Sequence, residues 1–340
     1  MPIGAFKLNA ISKYLAPAGV SYDSLAVGFA ASPYLHIYNR SGNTFTKLSN
    51  PANLPVFRAW SVAWNHDGSS LAASDLSSPR LIIYNRSGDT FTKLSNPATL
   101  PTGGGEHVAW NPAGTSLAVA HATTPFITIY NRSGDTFTKL SNPATLPLGT
   151  AKSCAWNPAG TSLAVGAESS TGFQYVRIYN RSGDTFTLAA SLSTGGVAHD
   201  VAWNPAGTSL AVASQGGTYL NIYNRSGDTF TKLSNPATLP ISGKCVAWNH
   251  DGSTLAIGGD GAEFHIYNRS GDTFTRITTP FADGDVEGMA FNKTGSSLVI
   301  AQSGSPYIKI YNRSGDTFTK LSDPASLPTN QAYSVAFFTT

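Results

Sequence analysis

The sequence predicts an all-β fold, a seven-bladed β-propeller with four antiparallel strands in each blade, and three observations lead to it. The segment Ile-Tyr-Asn-Arg-Ser-Gly recurs seven times, at intervals of 44 to 49 residues. Each repeat contains four short apolar stretches separated by turn residues. The end of the chain resembles the start of a repeat with nothing after it. Repeats of this length and strand content are typical of propeller blades.

The repeats are defined by two markers. The first begins at Ile37, Ile83, Ile129, Ile178, Ile222, Ile266 and Ile310. The second, Ala-Trp-Asn, begins at Ala63, Ala109, Ala155, Ala202 and Ala247, and it degrades to Ala-Phe-Asn at Ala290 and Ala-Phe-Phe at Ala336.

The third repeat shows how each unit forms a blade. Its segments Asn111–Thr115 and Asn131–Asp135 are rich in turn residues, in which Pro fixes φ and Gly accepts a positive φ. The apolar stretches alternate with a period of two, and no helical period persists over ten residues. The predicted strands A to D are Val108–Trp110, Ser116–Ala120, Phe126–Tyr130 and Thr136–Leu140.

The two chain ends predict how the ring closes. The first repeat has clear strands B, C and D between Ser24 and Leu48 but a poor strand A, whereas Ser334–Phe337 is a strand A without successors. The C-terminal strand is therefore expected to complete the first blade, which leaves no unpaired strand there. Residues 21–340 are predicted to form one propeller domain, and residues 1–20 an N-terminal arm.

Composition narrows the classes of function. The net charge of +3 and the lack of a basic run argue against a nucleic-acid partner. No apolar stretch is long enough to span a bilayer, and the N-terminus does not read as a secretory signal. Cys154 and Cys245 lie in different repeats and are interpreted as core residues, not as metal ligands. We expect no cofactor and a virion or cytoplasmic location.

The repeats resemble WD40 repeats. Val108–Ala120 is similar to strand A, turn and strand B of that family, and Tyr130-Asn131 stands where the family has Trp-Asp. The Gly-His pair of the family is missing, with only His107 and His199 near that position. The resemblance implies a scaffold that binds another protein. The longer unit that begins Tyr-Asn-Arg-Ser-Gly-Asp-Thr-Phe-Thr-Lys also resembles repeats encoded by bacteriophages, which implies a tail or surface-decoration protein with virion partners.

The loops that vary in length and content predict a binding face. The A–B and C–D connections keep constant lengths, whereas the B–C and D–A loops, which share the opposite face, differ. Loops carry function on a rigid scaffold, although duplicated loops also drift where nothing constrains them, and Trp60 could instead fold inward to cap the core. The predicted partner-binding residues are Phe57, Arg58, Trp60, His107, Glu168, Phe173, Tyr175, His199, Lys244 and Tyr333; His121 lies on the same face.

Two further sets of residues have open interpretations. Asp283, Asp285 and Glu287 partly match a Ca²⁺-binding loop. The alternative is a solvated acidic loop that binds no metal. The constant face carries seven arginines that could hold anions or a symmetric partner. The alternative is local pairing with the Asp three residues later. The arginines are Arg40, Arg86, Arg132, Arg181, Arg225, Arg269 and Arg313.

The innermost strands are expected to offer Val, Ala, Trp and Asn to the axis, and His199-Asp200 is the one adjacent acid–base pair worth naming. The chain is therefore predicted not to be an enzyme. The predicted function is that of a non-enzymatic interaction propeller and virion component. The alternative is a carbohydrate-binding, host-receptor-binding propeller with a glycan site near Trp60.

Overall fold

A computed structural model of the protein describes residues 23–169, 174–277 and 282–339. These residues form seven antiparallel sheets of four strands each, and in every sheet the strands neighbour one another in the order A, B, C, D. The predicted seven-bladed propeller is confirmed. The predicted N-terminal arm, residues 1–20, lies outside the described residues. In the described part of the chain, no helix is long and apolar enough to cross a membrane.

The strands are numbered in chain order, and blade 1 combines the two ends of the chain. The innermost strands, A, of blades 1 to 7 are β28 (Ala332–Phe338), β4 (Ala59–Trp64), β8 (Gly105–Trp110), β12 (Ala151–Trp156), β16 (Val197–Trp203), β20 (Cys245–Trp248) and β24 (Val286–Phe291). Strands B are β1 (Asp23–Phe29), β5 (Ser70–Asp75), β9 (Ser116–His121), β13 (Ser162–Ala167), β17 (Ser209–Gln215), β21 (Thr254–Gly258) and β25 (Ser297–Gln302). Strands C are β2 (Leu35–Ser41), β6 (Leu81–Ser87), β10 (Ile127–Ser133), β14 (Gln174–Ser182), β18 (Leu220–Ser226), β22 (Phe264–Ser270) and β26 (Ile308–Ser314). Strands D are β3 (Thr44–Lys47), β7 (Thr90–Lys93), β11 (Thr136–Lys139), β15 (Thr185–Ser193), β19 (Thr229–Lys232), β23 (Thr273–Ile277) and β27 (Thr317–Lys320).

The ring closes through β28, as the sequence predicts. This strand pairs antiparallel with β1, in a register that sets Leu25 opposite Phe337 and Ala26 opposite Ala336. Blade 1 is thus assembled from both chain ends, and its innermost strand gains the same backbone hydrogen bonds as the other six.

The apolar core lies between neighbouring blades. In one cluster Leu81 and Ile83 of blade 2 pack against Trp110, Leu117 and Val119 of blade 3. The small Ala of strand A lets neighbouring inner strands approach closely. The indole Nε1 of the Trp in each Ala-Trp-Asn marker donates to the carbonyl oxygen of the strand-A Ala in the preceding blade at 3.2 Å. The Trp–Ala pairs are Trp64–Ala336, Trp110–Ala63, Trp156–Ala109, Trp203–Ala155 and Trp248–Ala202.

The seven arginines of the constant face also fasten blades to one another. Arg132 is representative: its guanidinium lies over the rings of Trp110 and Phe137, at 5.4 and 5.9 Å from their centroids. Its Nη2 donates to Ser70 Oγ of the preceding blade at 2.8 Å. Of the local pairing with the Asp three residues later, Arg269 gives an example, with its Nη2 4.0 Å from Asp272 Oδ1. The Asp at this position also accepts from an Asn of the preceding blade, as Asp135 does from Asn85 at 2.6 Å.

Candidate functional site

One residue at the start of each innermost strand faces the axis of the propeller. In six of these strands the pairing register shifts by one residue at this position, so that the residue is the extra one of a β-bulge. A bulge re-aims a side chain and is common beside active sites. We call these residues the axial ring; from blade 1 to blade 7 they are Tyr333, Trp60, Glu106, Lys152, His199, Lys244 and Glu287.

The axial ring lines a cavity of about 330 Å³ on the face of the B–C and D–A loops. Its order is Glu–Lys–His–Lys–Glu over blades 3 to 7, and the two aromatic residues close the circle. Trp60 and Tyr333 meet edge to face, with centroids 3.9 Å apart and planes at 67°. Arg58 Nη1 lies 3.4 Å from Tyr333 Oη, to which it donates. The cavity therefore has an apolar aromatic wall opposite an arc of ionisable groups.

Lys152 lies between Glu106 and His199 in that arc. Its Nζ is 3.0 Å from Glu168 Oε1 and 3.7 Å from Glu106 Oε1. Burial raises the pKa of Glu106, although the nearby Lys152 ammonium opposes the shift. Glu106 is therefore more readily protonated near neutral pH than an exposed glutamate.

His199 is held by one hydrogen bond. Its Nε2 lies 3.0 Å from Gln215 Oε1, and since that oxygen can only accept, Nε2 carries the proton and Nδ1 presents its lone pair. Burial lowers the pKa of His199, the hydrogen bond to Gln215 opposes this, and the charges of Lys152 and Lys244 lower it further. The imidazole is thus neutral at pH 7, the form that accepts a proton.

Lys244, on the other side of His199, is enclosed by carboxylates. Its Nζ lies 2.7 Å from Asp260, 2.8 Å from Glu287 and 3.4 Å from Asp285. Burial by itself lowers the pKa of Lys244, but the hydrogen bonds to Asp260 and Glu287 outweigh it and raise the pKa well above the usual range. Lys244 is accordingly a permanent cation.

The residues next to the axial ring link adjacent inner strands. Asp200 Oδ2 accepts from the backbone N–H of Val246 in the next blade at 2.9 Å, and Ser153 Oγ accepts from Val201 N–H in the same way. Burial raises the pKa of Asp200 to about 6, although its hydrogen bonds favour the ionised form. Burial also lowers the pKa of His107 to about 4, and His107 Nδ1 faces the N–H of Cys154 at 3.5 Å.

The structure brings together part of the predicted partner-binding set. Trp60, His199, Lys244 and Tyr333 belong to the axial ring. Trp60, His107, His199 and Tyr333 lie on the innermost strands, which corrects their placement in loops; Trp60 points to the cavity and does not cap the core.

The other members of the set lie around this cavity or apart from it. Glu168 pairs with Lys152. Phe57 is 38% exposed, and the Arg58 guanidinium lies 5.4 Å from its ring centroid. Tyr175 packs on the core between blades 4 and 5, and His121 is buried against Thr128. Phe173 lies outside the described residues.

The acidic loop does not converge on one point. Asp285 and Glu287 contact Lys244, whereas Asp283 Oδ2 lies 2.7 Å from Lys309 Nζ. Two of the three carboxylates of the weak Ca²⁺ candidate therefore pair with the Lys244 ammonium, and the third pairs with that of Lys309. Among the residues described, no group of three His, Cys, Asp or Glu side chains is placed to hold a metal ion.

Sequence reasoning missed Glu106 and Lys152, and it assigned Glu287 to a loop. The expectation that the inner strands offer only Val, Ala, Trp and Asn to the axis is wrong, because the bulge turns an additional residue inward. A signal was present: all seven members of the axial ring stand four residues before the strand-A aromatic residue. At that position the near-identical repeats carry Trp, Glu, Lys, His, Lys, Glu and Tyr.

No protein-family model and no curated protein matches the chain. Among solved structures, a proposed 6-phosphogluconolactonase of Bacteroides fragilis is similar, with a TM-score of 0.77, 12% identity and coverage of 95% of this chain and 99% of that one. The periplasmic gluconolactonase of Pseudomonas aeruginosa has a TM-score of 0.73, 12% identity and coverage of 94% and 99%. A Lactobacillus plantarum protein has a TM-score of 0.74, 16% identity and coverage of 94% and 100%. At these identities the likeness shows the fold.

These comparisons correct the functional predictions. The structural neighbours that are matched over nearly their full length include two proposed 6-phosphogluconolactonases and a gluconolactonase, and they give no support to the WD40 or bacteriophage resemblance. These names contradict the predictions of a non-enzymatic scaffold, of a virion component with a carbohydrate-binding alternative, and of a chain that is not an enzyme. The residues that recur in the inner strands carry no sign of the cavity, whose lining lies at positions that differ from repeat to repeat.

Proposed function

We propose that the chain is a hydrolase that opens a small lactone, a cyclic ester, in the axial cavity. The observation that carries the proposal is the arc Glu106–Lys152–His199, in which three adjacent blades present an acid, a cation and a neutral base to one cavity. The names of the lactonase-like neighbours point to the same reaction class. Perturbed titratable groups in a cleft are a recognised mark of an active site.

The three side chains have complementary roles in ester hydrolysis. His199 Nδ1 takes a proton from a water molecule as the water oxygen bonds to the lactone carbonyl carbon. The Lys152 ammonium stabilises the negative charge that develops on the carbonyl oxygen. The bond from that carbon to the ring oxygen then breaks, and Glu106, whose pKa burial raises, gives its proton to the departing oxygen. One water is consumed, and the product is an open-chain hydroxy acid.

The aromatic wall supplies orientation. Trp60 and Tyr333 present an apolar edge across the cavity from the ionisable arc, and aromatic side chains offer rigid contact area with a polar tip. A lactone ring packed against them would turn its carbonyl group towards Lys152 and His199. Holding the reacting atoms in this way lowers the entropic part of the barrier.

The proposal is tested by proton release during hydrolysis of D-glucono-δ-lactone, followed in a pH-stat against the uncatalysed rate. His199→Gln is expected to lower kcat/KM by roughly 10²-fold or more, the usual contribution of a general base. Lys152→Met is expected to lower it by a similar factor, because an oxyanion donor is lost.

The matched control is His66→Gln, which makes the same change at an exposed histidine just beyond β4, at the opposite end of the inner strands. Its kcat/KM should equal that of the wild type. Because the pKa of His199 is lowered, the wild-type rate should fall on the acid side only below the ordinary histidine range. A wild-type protein no faster than buffer on a panel of γ- and δ-lactones would refute the proposal.

A further inference from the structure

We infer that the carboxylates around Lys244 make the cavity a site for an uncharged lactone and exclude a substrate that carries a phosphate group. This inference rests on the proposed function and adds the charge of the substrate. Its basis is the position of Lys244 among the carboxylates of Asp260, Asp285 and Glu287. Asp260 and Asp285 are not members of the axial ring.

The hydrogen-bonding capacity of Lys244 is already used. A lysine ammonium has three N–H donors and no acceptor. Carboxylate oxygens of Asp260, Glu287 and Asp285 lie 2.7, 2.8 and 3.4 Å from Nζ, one for each donor. A phosphate oxygen could therefore bond to Lys244 only by displacing one of them. Glu287 is held in turn by Gln331, whose Nε2 donates to Glu287 Oε1 at 2.9 Å.

Lys152 keeps some hydrogen-bond donor capacity, but not enough to bind a phosphate dianion. It has one short ion-pair contact, to Glu168 at 3.0 Å, and a longer one to Glu106 at 3.7 Å. The remaining donor capacity suits one carbonyl oxygen, as the proposed reaction requires. Phosphate recognition ordinarily takes several converging donors or a bidentate guanidinium. The Arg58 guanidinium donates to the lining residue Tyr333 and lies over the ring of Phe57.

The charge around the cavity is negative. Among the described residues that line it or bond to its lining there are six carboxyl groups and three cations, so that five carboxylates still outnumber the cations when Glu106 is protonated, as the proposed reaction requires. These residues are Glu106, Glu168, Asp200, Asp260, Asp285 and Glu287, against Lys152, Lys244 and Arg58. Like charges brought together at a binding site are a means of rejecting a competing ligand. The same negative charge repels the hydrolysis product, which is a carboxylate anion, and so favours its release. The lactone itself is neutral.

The test compares kcat/KM for D-glucono-δ-lactone with that for its 6-phosphate. The wild type is expected to prefer the uncharged lactone by roughly tenfold or more. The isosteric double variant Asp260→Asn, Asp285→Asn removes two negative charges and replaces two charge-assisted bonds to Lys244 with weaker neutral ones, which a phosphate oxygen can displace. It is expected to reduce that preference by roughly tenfold while kcat/KM for the uncharged lactone stays within about threefold of wild type. Asp323→Asn, at an ion pair with Lys320 on the outer edge of blade 7, is the matched control and should change neither value.

A binding measurement separates this inference from the proposed function. Inorganic phosphate should leave the melting temperature of the wild type unchanged and should raise that of the double variant, because ligand binding to the native state alone stabilises it. If neither lactone is hydrolysed, the proposed function fails, and the phosphate titration still decides the inference. Wild-type stabilisation by phosphate, or wild-type preference for the phosphorylated lactone, would overturn it.

Discussion

The two ends of the innermost strands follow opposite rules. At the end next to the A–B turn, Ala-Trp recurs in five blades, and each Trp fastens its blade to the preceding one. The opening at this end, a cavity of about 640 Å³, is lined largely by Trp, Pro and Asn side chains. At the other end the axial ring carries five residue types in seven blades. The residue that joins neighbouring blades is therefore the same in most repeats, whereas the residue that lines the cavity differs between them.

A pair of tryptophan variants tests this comparison with the largest expected effect. Trp110→Ala should lower the free energy of unfolding by about 3–5 kcal/mol, since it removes a large core side chain and leaves a cavity. Trp60→Ala should lower it by about 1 kcal/mol, because the residue contributes mainly its contact with Tyr333. Chemical denaturation of both variants measures the difference.

The same pair separates stability from activity. Trp60→Ala should raise KM for a lactone substrate, because the aromatic wall is lost, whereas Trp110→Ala should leave KM unchanged in the folded fraction. Equal destabilisation by the two substitutions would show that both ends of the strand serve the scaffold alike, and the comparison would fail.

Asp200 gives a smaller, pH-dependent effect. Its pKa is about 6 in the folded state against a reference value of 3.8. The protonated carboxyl therefore favours folding below pH 4, and this contribution is lost as the pH rises through 6. Asp200→Asn, which keeps an oxygen acceptor for the N–H of Val246, should equal the wild type near pH 4. At pH 7.5 it should exceed the wild type by about 1–2 kcal/mol.

The measurement for Asp200 is the free energy of unfolding at several pH values between 4 and 8. Asp323→Asn, the same chemical change at a more exposed carboxylate, is its control. A wild-type stability that rises relative to Asp200→Asn across the window would contradict the predicted direction of the shift.

Arg132→Lys has the smallest expected effect. A lysine keeps the charge but cannot cover the rings of Trp110 and Phe137 while it donates to Ser70. The free energy of unfolding should fall by about 1 kcal/mol. Arg276→Lys, an exposed position on β23, should change it by less than about 0.5 kcal/mol. A loss at Arg132 no larger than at Arg276 would show that the arginines do not fasten the blades.

The fold could be predicted closely from the sequence because its determinants are local and repeated seven times. Strand alternation, the turn residues and the recurrence of Ile-Tyr-Asn-Arg-Ser-Gly each reside within one repeat, and the unmatched strand at Ser334–Phe337 identifies the closure. The roles of the arginines were predicted less well. Their partners Trp and Phe lie within the blade but Ser70 and its equivalents lie in the preceding one, which no spacing within a repeat reveals.

The candidate site could be predicted only in part. Trp60, His199, Lys244 and Tyr333 stood out because their loops differ in composition. The position of Trp60, His199 and Tyr333 on the inner strands depends on bulges that alternation does not predict, and Lys244 directly precedes β20. Glu106 and Lys152 looked like ordinary charged residues at the start of a strand. Their significance lies in their neighbours, since Lys152 meets Glu168 at the start of the B–C connection of its own blade and Glu106 across a blade boundary.

The sequence by itself determined the blade, the number of blades and the strand that closes the ring, because periodic patterns of apolar and turn residues decide local structure and repetition decides its count. Only the tertiary structure decided that seven residues, separated by 43 to 47 positions along the chain, face one cavity. It also decided that Lys244 is surrounded by carboxylates while Lys152 keeps donor capacity. These properties arise from distances between blades, and a charge acquires its chemistry from the groups within a few ångströms of it.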